Sequence, residues 1–264
     1  MKIICQSESK RAVALVTGAT SGIGREIARL LRSRGYDLII TGRDEDELMR
    51  LSAELGHGNT TAVSADLSSE KECFELYKAV RRYPVMILVN SAGFGVYGEF
   101  SEVSLRKELD MINVDIRAVH ILMKLFLRDF IKRDRGYILN VSSAAAFMPG
   151  PFMSGYYASK SYVLRQSEAV SEELRRRRSR VSISILCPGP VRTDFNRRAG
   201  VSSGFKGITA QKAAKAGVDG MFAHRLVIVP GAGMTLVTAL SGMLPVKLVT
   251  AVNYSVQAMK KRDL

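Results

Sequence analysis

The feature that most constrains this chain is an alternation. Seven short apolar runs of strand length, Ala12 to Val16, Asp37 to Thr41, Thr60 to Ser64, Met86 to Asn90, Gly136 to Val141, Val181 to Leu186 and Leu226 to Val229, are separated by longer segments. In those segments, Ile23 to Ser33, Glu45 to Leu55, Glu70 to Arg82, Leu105 to Ile131 and Tyr157 to Arg176, apolar residues recur at helical spacing, as in Ile27, Leu30 and Leu31. Strands apolar on both faces, in repeated βαβ order, belong in a parallel sheet covered by helices on each side. The predicted fold is therefore α/β, a doubly wound parallel sheet of about seven strands.

No repeat, low-complexity tract or Pro/Ser-rich linker divides the 264 residues, and 47% hydrophobic content supports one sizeable core, so a single domain over residues 1–264 is expected. The net charge of +14 favours anionic partners in general. It is scattered, apart from Arg175 to Arg178 with Arg180 and the Lys260, Lys261, Arg262 cluster, and basic residues suit a helix C-terminus. No nucleic-acid-binding motif accompanies these clusters, so no nucleic-acid partner is expected. Cys5, Cys73 and Cys187 are odd in number and far apart, and no pair among them and His57, His120 and His224 has metal-ligand spacing. A reducing compartment and no metal site follow as expectations. The first residues, MKIICQSESKRAVALV, lack the apolar core and cleavage site of a signal peptide, which predicts a cytoplasmic protein.

The first apolar run leads into TGATSGIG, with Gly18, Gly22 and Gly24 placed where a helix begins. A strand, a tight glycine turn and a helix N-terminus make an anion site suited to a pyrophosphate, and Thr20, Ser21 and Ile23 belong to the same turn. At the end of the second run, the place of an acidic ribose ligand holds Gly42 and then Arg43. A guanidinium there suits a 2′-phosphate, so NADP is expected in preference to NAD; a plain surface arginine opening the acidic helix is the other reading. Asp66, beside Leu67, either accepts from an adenine amino group or caps the next helix, and the sequence leaves both open. After the fourth run, NSAG (Asn90, Ser91, Ala92, Gly93) places small residues where a backbone passes close to a flat ligand or another strand.

The stretch SGYYASKSY sets three tyrosines around Lys160. Tyr157 and Tyr156 stand three and four residues before it, and both spacings share a helix face, whereas Tyr162 points elsewhere. Geometry leaves the first two open.

Taken in order, the glycine turn, NSAG, Asn113, Ser142-Ser143, YYASK and PGPVRT resemble the short-chain dehydrogenase/reductase family over roughly residues 11–231. The resemblance implies a single Rossmann-like domain and nicotinamide-dependent alcohol/carbonyl chemistry. The family's Tyr-x-x-x-Lys with a serine thirteen residues earlier selects Tyr156, because Ser143 to Tyr156 is thirteen. It implies Tyr156 as general acid/base, Ser143 on the substrate oxygen, Lys160 on the phenol and the nicotinamide ribose, and Asn113 in a proton relay. It further implies that Pro188, Gly189, Val191 and Thr193 flank the nicotinamide, and that the protein is a homodimer or homotetramer. Ser91 departs from the family's usual NNAG.

The loops FGVYGEF, AAAFMPGPFMSG and FNRRAGVSSGFKG, which the resemblance places on the substrate side, carry Phe, Met and Tyr and suggest a lipophilic carbonyl or alcohol substrate. Leu226 to Val246 is 21 residues without a charge, but Pro230, Gly231, Gly233, Gly242 and Pro245 interrupt it. The extension, residues 232–264, is expected to form one or two amphipathic helices over Met234 to Met259. Leu236, Val237, Leu240 and Leu244 would face the pocket or another subunit, with peripheral membrane contact through Lys247 and the basic end as a further option. A cofactor-sensing regulatory protein with little turnover is the alternative function.

Overall fold

Side chains of the central strands are shared alternately between two cores. In the computed structural model, β2 (Val13–Thr17) sends Val13 and Leu15 to one core and Ala14 and Val16 to the other. This period of two, with both faces buried, is what a parallel sheet between two helical layers requires. The structure describes residues 1–6, 11–195, 199–202, 207–259 and 261–262, the last two and 201–202 by backbone alone.

The sheet has eight strands, one more than expected. The extra one, β1 (Lys2–Cys5), runs antiparallel along the edge on β4 (Thr60–Ser64). It pairs antiparallel, outside the βαβ alternation, so that rhythm did not mark it in the sequence. The others are β3 (Asp37–Gly42), β5 (Val85–Asn90), β6 (Gly136–Val141), β7 (Val181–Leu186) and β8 (Val227–Ile228), all parallel to their neighbours. The spatial order is β1-β4-β3-β2-β5-β6-β7-β8, which reverses direction between β2 and β5. In open α/β sheets the crevice at such a reversal, at the carboxyl ends of the strands, is where ligands bind.

One helical layer holds α1 (Gly22–Ser33), α2 (Glu45–Leu55) and α7 (Ala210–Phe222), whose Ile27, Leu31, Leu48, Leu51, Val218 and Met221 fill one core. The opposite layer holds α3 (Glu70–Val80), α5 (Val119–Arg133) and α6 (Ser154–Arg176), with Leu76, Phe126, Phe130 and Leu174 in the other. Asp44 and Ser69 cap α2 and α3 by accepting from the Glu47 and Glu72 backbone N–H groups. The arginine run closes α6 as a solvated end, with Arg175 and Arg176 on Glu172.

The predicted Leu105 to Ile131 helix is interrupted. It begins as α4 (Leu105–Ile112), widens into a π-helical stretch over Asn113–Ala118 and resumes as α5. Such insertions gather at functional sites. The extension folds as two helices, α8 (Ala232–Ser241) and α9 (Val246–Ala258). Among the described residues no helix is long and apolar enough to cross a membrane. Lys260, Asn196 to Arg198 and Ser203 to Lys206 of the predicted basic cluster and third substrate loop lie outside the described residues, as do the side chains of Lys261 and Arg262.

Candidate active site

A cavity of about 1440 Å³ opens at the β2/β5 reversal, above the carboxyl ends of the strands. Its volume exceeds the 300–1,000 Å³, roughly, of a typical small-ligand pocket, so it has room for a dinucleotide and a second molecule.

The glycine turn forms its floor, and Gly18, Thr20, Ser21, Gly22, Ile23 and Gly24 all line it. Gly18 has φ of +63°, and a Cβ built on it would lie 2.7 Å from the Ala92 Cα, so the close passage of the two strand-end loops depends on its bare Cα. The N-cap of α1, Ser21, makes no side-chain capping bond, and the first turn has no acidic residue. The first turn of this twelve-residue helix, with Gly22, Ile23 and Gly24 on the cavity wall, therefore keeps N–H groups without a side-chain acceptor from the cap.

Arg43, at the end of β3, and Asp66 and Leu67, after β4, line the adjacent wall. The capping alternative for Asp66 is overturned. Ser69 caps α3, while Asp66 accepts from the Ser68 N–H and hydroxyl at 3.0 and 2.9 Å. Ala92, Gly93, Pro188, Gly189, Val191 and Thr193 continue the lining toward the centre.

Asn90 does not line it. As the last residue of β5 its side chain is buried on the sheet face toward α5 and α6, where its amide donates to Oδ1 of Asn140, the directly paired residue on β6, at 2.8 Å.

At the centre meet Ser143, from the turn after β6, and Tyr156 and Lys160, one helical turn apart on α6. Lys160 Nζ lies 5.6 Å from the Tyr156 ring centroid. Burial raises the Tyr156 phenol above its ordinary pKa. Lys160 and a hydrogen bond with Ser143 pull the other way, and Asp115 and Tyr157 add to the rise.

Tyr157 also borders the cavity, but its hydroxyl accepts from the Gln257 amide of α9, and burial raises its pKa. Tyr162 is 37% exposed and pairs with His120 at 2.7 Å, away from the cavity.

Asn113 does not reach this centre. It opens the π-helical stretch, does not line the cavity, and makes no contact with Lys160 like that of Asp115, which lies two positions on and faces nearly the opposite side. The residue of that stretch beside Lys160 is Asp115, fully buried, its Oδ2 3.0 Å from Lys160 Nζ. Nothing in the sequence marked Asp115; its importance comes from a contact 45 residues along the chain.

Apolar side chains form much of the remaining wall, together with Glu102, Lys107 and Asp110. Phe94, Met153 and Phe195 come from the loops after β5, β6 and β7, and Val237, Leu240 and Leu244 from the extension. Leu236 departs from its predicted face and is 60% exposed. Polar bonds seat α9 on the body of the protein. Asn253 donates to the Pro149 carbonyl at 2.7 Å, and the Tyr97 hydroxyl donates to the Gln257 carbonyl at 2.8 Å. No group of three or more metal-ligating side chains occurs among the described residues.

The glycine cradle, the uncapped helix N-terminus and the continuous lining from Arg43 to Thr193 fit a nicotinamide dinucleotide.

Comparison with known proteins agrees. The family model described as short chain dehydrogenase matches residues 12–204. The chain is 31% identical over 199 residues, 72% of its length and 84% of the relative's, to an uncharacterized oxidoreductase of Staphylococcus epidermidis. It is 31% identical over 181 residues to a very-long-chain 3-oxoacyl-CoA reductase of Mycosarcoma maydis, covering 66% of this chain and 51% of that one. Among solved structures, a short-chain dehydrogenase from Sphingobium yanoikuyae in complex with NADPH superposes with a TM-score of 0.79 at 27% identity, over 88% of this chain and 94% of that one. A family member from Burkholderia phymatum in complex with NAD shares the fold, with a TM-score of 0.79 at 24% identity over 89% and 94% of the two chains.

Proposed function

Because the chain belongs to the short-chain dehydrogenase family, and is thereby an NAD(P)-dependent oxidoreductase of alcohol/carbonyl pairs, we propose that it is an NADP(H)-dependent enzyme for a lipophilic carbonyl or alcohol, with Tyr156 as general acid/base. The observation that carries this reading is the convergence of Ser143, Tyr156 and Lys160 on one cavity between the glycine cradle and an apolar wall.

Residues from Gly18 to Thr193 would hold a nicotinamide dinucleotide, which would supply a hydride to the carbonyl carbon in reduction and accept one from the alcohol carbon in oxidation. The protein's part is orientation and proton transfer. The Ser143 hydroxyl donates to the substrate oxygen and stabilises the negative charge that grows there during reduction. The Tyr156 phenol gives its proton to that oxygen, and in oxidation phenolate takes it back. Lys160 has three N–H donors; one meets Asp115 and another the Val141 carbonyl at 3.4 Å, which leaves a third for a ribose hydroxyl at the cavity wall.

Arg43 supports NADP(H) over NAD(H), since a guanidinium at the end of β3 bonds a 2′-phosphate in a bidentate manner. The solved relatives include one in complex with NADPH and one in complex with NAD, so the preference rests on Arg43 alone. The apolar wall supports a lipophilic substrate, and the acyl-CoA reductase relative agrees in chemical class. Leu105, Leu109 and Ile112 form an exposed apolar stripe on α4, which supports assembly into a homodimer or homotetramer.

The test follows NADPH absorbance with a panel of ketones and aldehydes graded in apolar size, for the wild type and Tyr156→Phe. Turnover that rises with apolar size and is lost in the variant supports the reading. Full turnover by Tyr156→Phe, or binding of NADPH with no turnover across the panel, sinks it in favour of a cofactor-sensing role.

A further inference from the structure

The buried carboxylate behind the candidate active site is unaccounted for by the proton transfer just described. Asp115 is fully buried in the π-helical stretch, yet it makes three contacts that join separate parts of the site. Its Oδ2 pairs with Lys160 Nζ at 3.0 Å, its Oδ1 accepts from the Phe94 N–H at 3.1 Å, and the Ser159 hydroxyl donates to Oδ2 at 3.4 Å. A Cβ built on Gly93 would lie 3.0 Å from both Asp115 Oδ1 and Lys160 Nζ, so the loop after β5 closes directly over the pair.

We propose that Asp115 is a positioning residue which anchors Lys160 and, by compensating its charge, sets the pH at which Tyr156 changes from proton donor to proton acceptor. The inference rests on Tyr156 and Lys160 acting as described above. A buried ammonium beside a phenol stabilises phenolate, and a carboxylate in contact with that ammonium cancels much of its effect. Burial raises the Asp115 carboxyl above its usual range, with Lys160 as the main opposing influence. Burial works against the Lys160 charge, but Asp115 and Tyr156 outweigh it and hold its pKa above the ordinary amine value. The other ionisable groups facing the pair are Tyr157 of α6, which acts on Tyr156, and Cys187 at the end of β7, which acts on Lys160.

The test needs no knowledge of the substrate. The Tyr156 phenol of the full chain is titrated by ultraviolet difference spectroscopy, with Tyr156→Phe as the blank, in wild type, Asp115→Asn and Asp115→Glu. Removing the carboxylate charge leaves Lys160 uncompensated, so Asp115→Asn should lower the Tyr156 titration by about one pH unit or more. Asp115→Glu, which keeps the charge, should restore it. An unchanged or raised titration in Asp115→Asn overturns the proposal. If Asp115→Asn does not fold, Asp115→Ser carries the same expectation, and failure of both uncharged variants to fold overturns the proposal in favour of a purely structural role. If Asp115→Asn leaves the titration unmoved while Tyr156→Phe abolishes turnover, this inference fails and the functional reading stands. If the titration moves while Tyr156→Phe keeps full turnover, the functional reading fails instead.

Discussion

The Gln257 side chain of α9 hydrogen-bonds the hydroxyl of Tyr157, 100 residues away in the sequence. One of the two adjacent tyrosines is thereby tied into the wall, while its neighbour Tyr156 faces the cavity beside Lys160. Tyr157→Phe should retain most turnover and lose about 1 kcal/mol of stability, the net worth of one hydrogen bond. Tyr156→Phe should lose roughly 10²–10⁴-fold in kcat at unchanged thermal stability, as expected for removal of an acid/base group. Steady-state kinetics and a thermal melt on the two variants check both; equal kinetic losses would contradict the assignment.

The raised Tyr156 phenol has a consequence for pH dependence. Reduction needs the protonated phenol, so its kcat/KM should stay level through neutral pH and fall only as pH rises through the Tyr156 value. Oxidation needs phenolate and should climb over the same range. Bound oxidised cofactor adds positive charge and should bring the oxidation limb to lower pH than the phenol titration of the free enzyme. Rate profiles for the two directions are the measurement, and an oxidation rate already level at neutral pH would contradict it.

Arg43→Ala should cut kcat/KM for NADPH about 10- to 100-fold, the loss of one charged hydrogen-bonding partner of about 1.5–3 kcal/mol, and leave that for NADH nearly unchanged. Parallel losses with both cofactors would place Arg43 in general folding or binding and remove the support for NADP(H) preference.

Removing residues 246–264 deletes α9 together with its Leu248, Val249 and Val252, which line the cavity. Leu248 and Val252 are half-exposed and offer apolar surface that a substrate can cover, so at about 25 cal/mol per Å² of apolar surface covered KM for an apolar substrate should rise about tenfold. The same helix exposes Val246 and Tyr254 outward. Sedimentation and liposome partition therefore separate its roles. A fall in mass points to a subunit contact; unchanged mass with lost liposome binding points to a membrane surface.

Two of the three thiols are shielded. Burial pushes Cys73 up to about 11 and Cys187 up to about 12, and both are buried, whereas Cys5 is partly exposed. Alkylation of the native protein near neutral pH, read by peptide mass, should modify Cys5 and spare the others until the protein unfolds.

Much of this architecture was legible before any coordinates, because it is written in short-range periodicity. Val13 to Val16 alternate between two cores, Ile27 and Leu31 recur at helical spacing, and the glycine turn passes too close to its neighbours for side chains at Gly18 and Gly24, while Gly22 takes a positive φ of +55°. The fourfold step from Tyr156 to Lys160 needed only a helix to bring the two together.

What remained hidden depends on contacts between residues far apart in the chain. Asn90 and Asp115 show this from opposite directions. Strand pairing turns Asn90 inward onto Asn140 and away from the cavity. The π-helical stretch sets Asp115, rather than Asn113, against Lys160. β1 likewise finds its place only by pairing with the exposed edge of β4. Local sequence thus determined the elements and their order and left Tyr156 and Tyr157 as equal partners for Lys160, a choice that only the family resemblance narrowed. Tertiary packing alone decided which charge stands behind Lys160 and how the C-terminal helices close the apolar wall, because burial and ion pairing are properties of the assembled neighbourhood and not of any one segment.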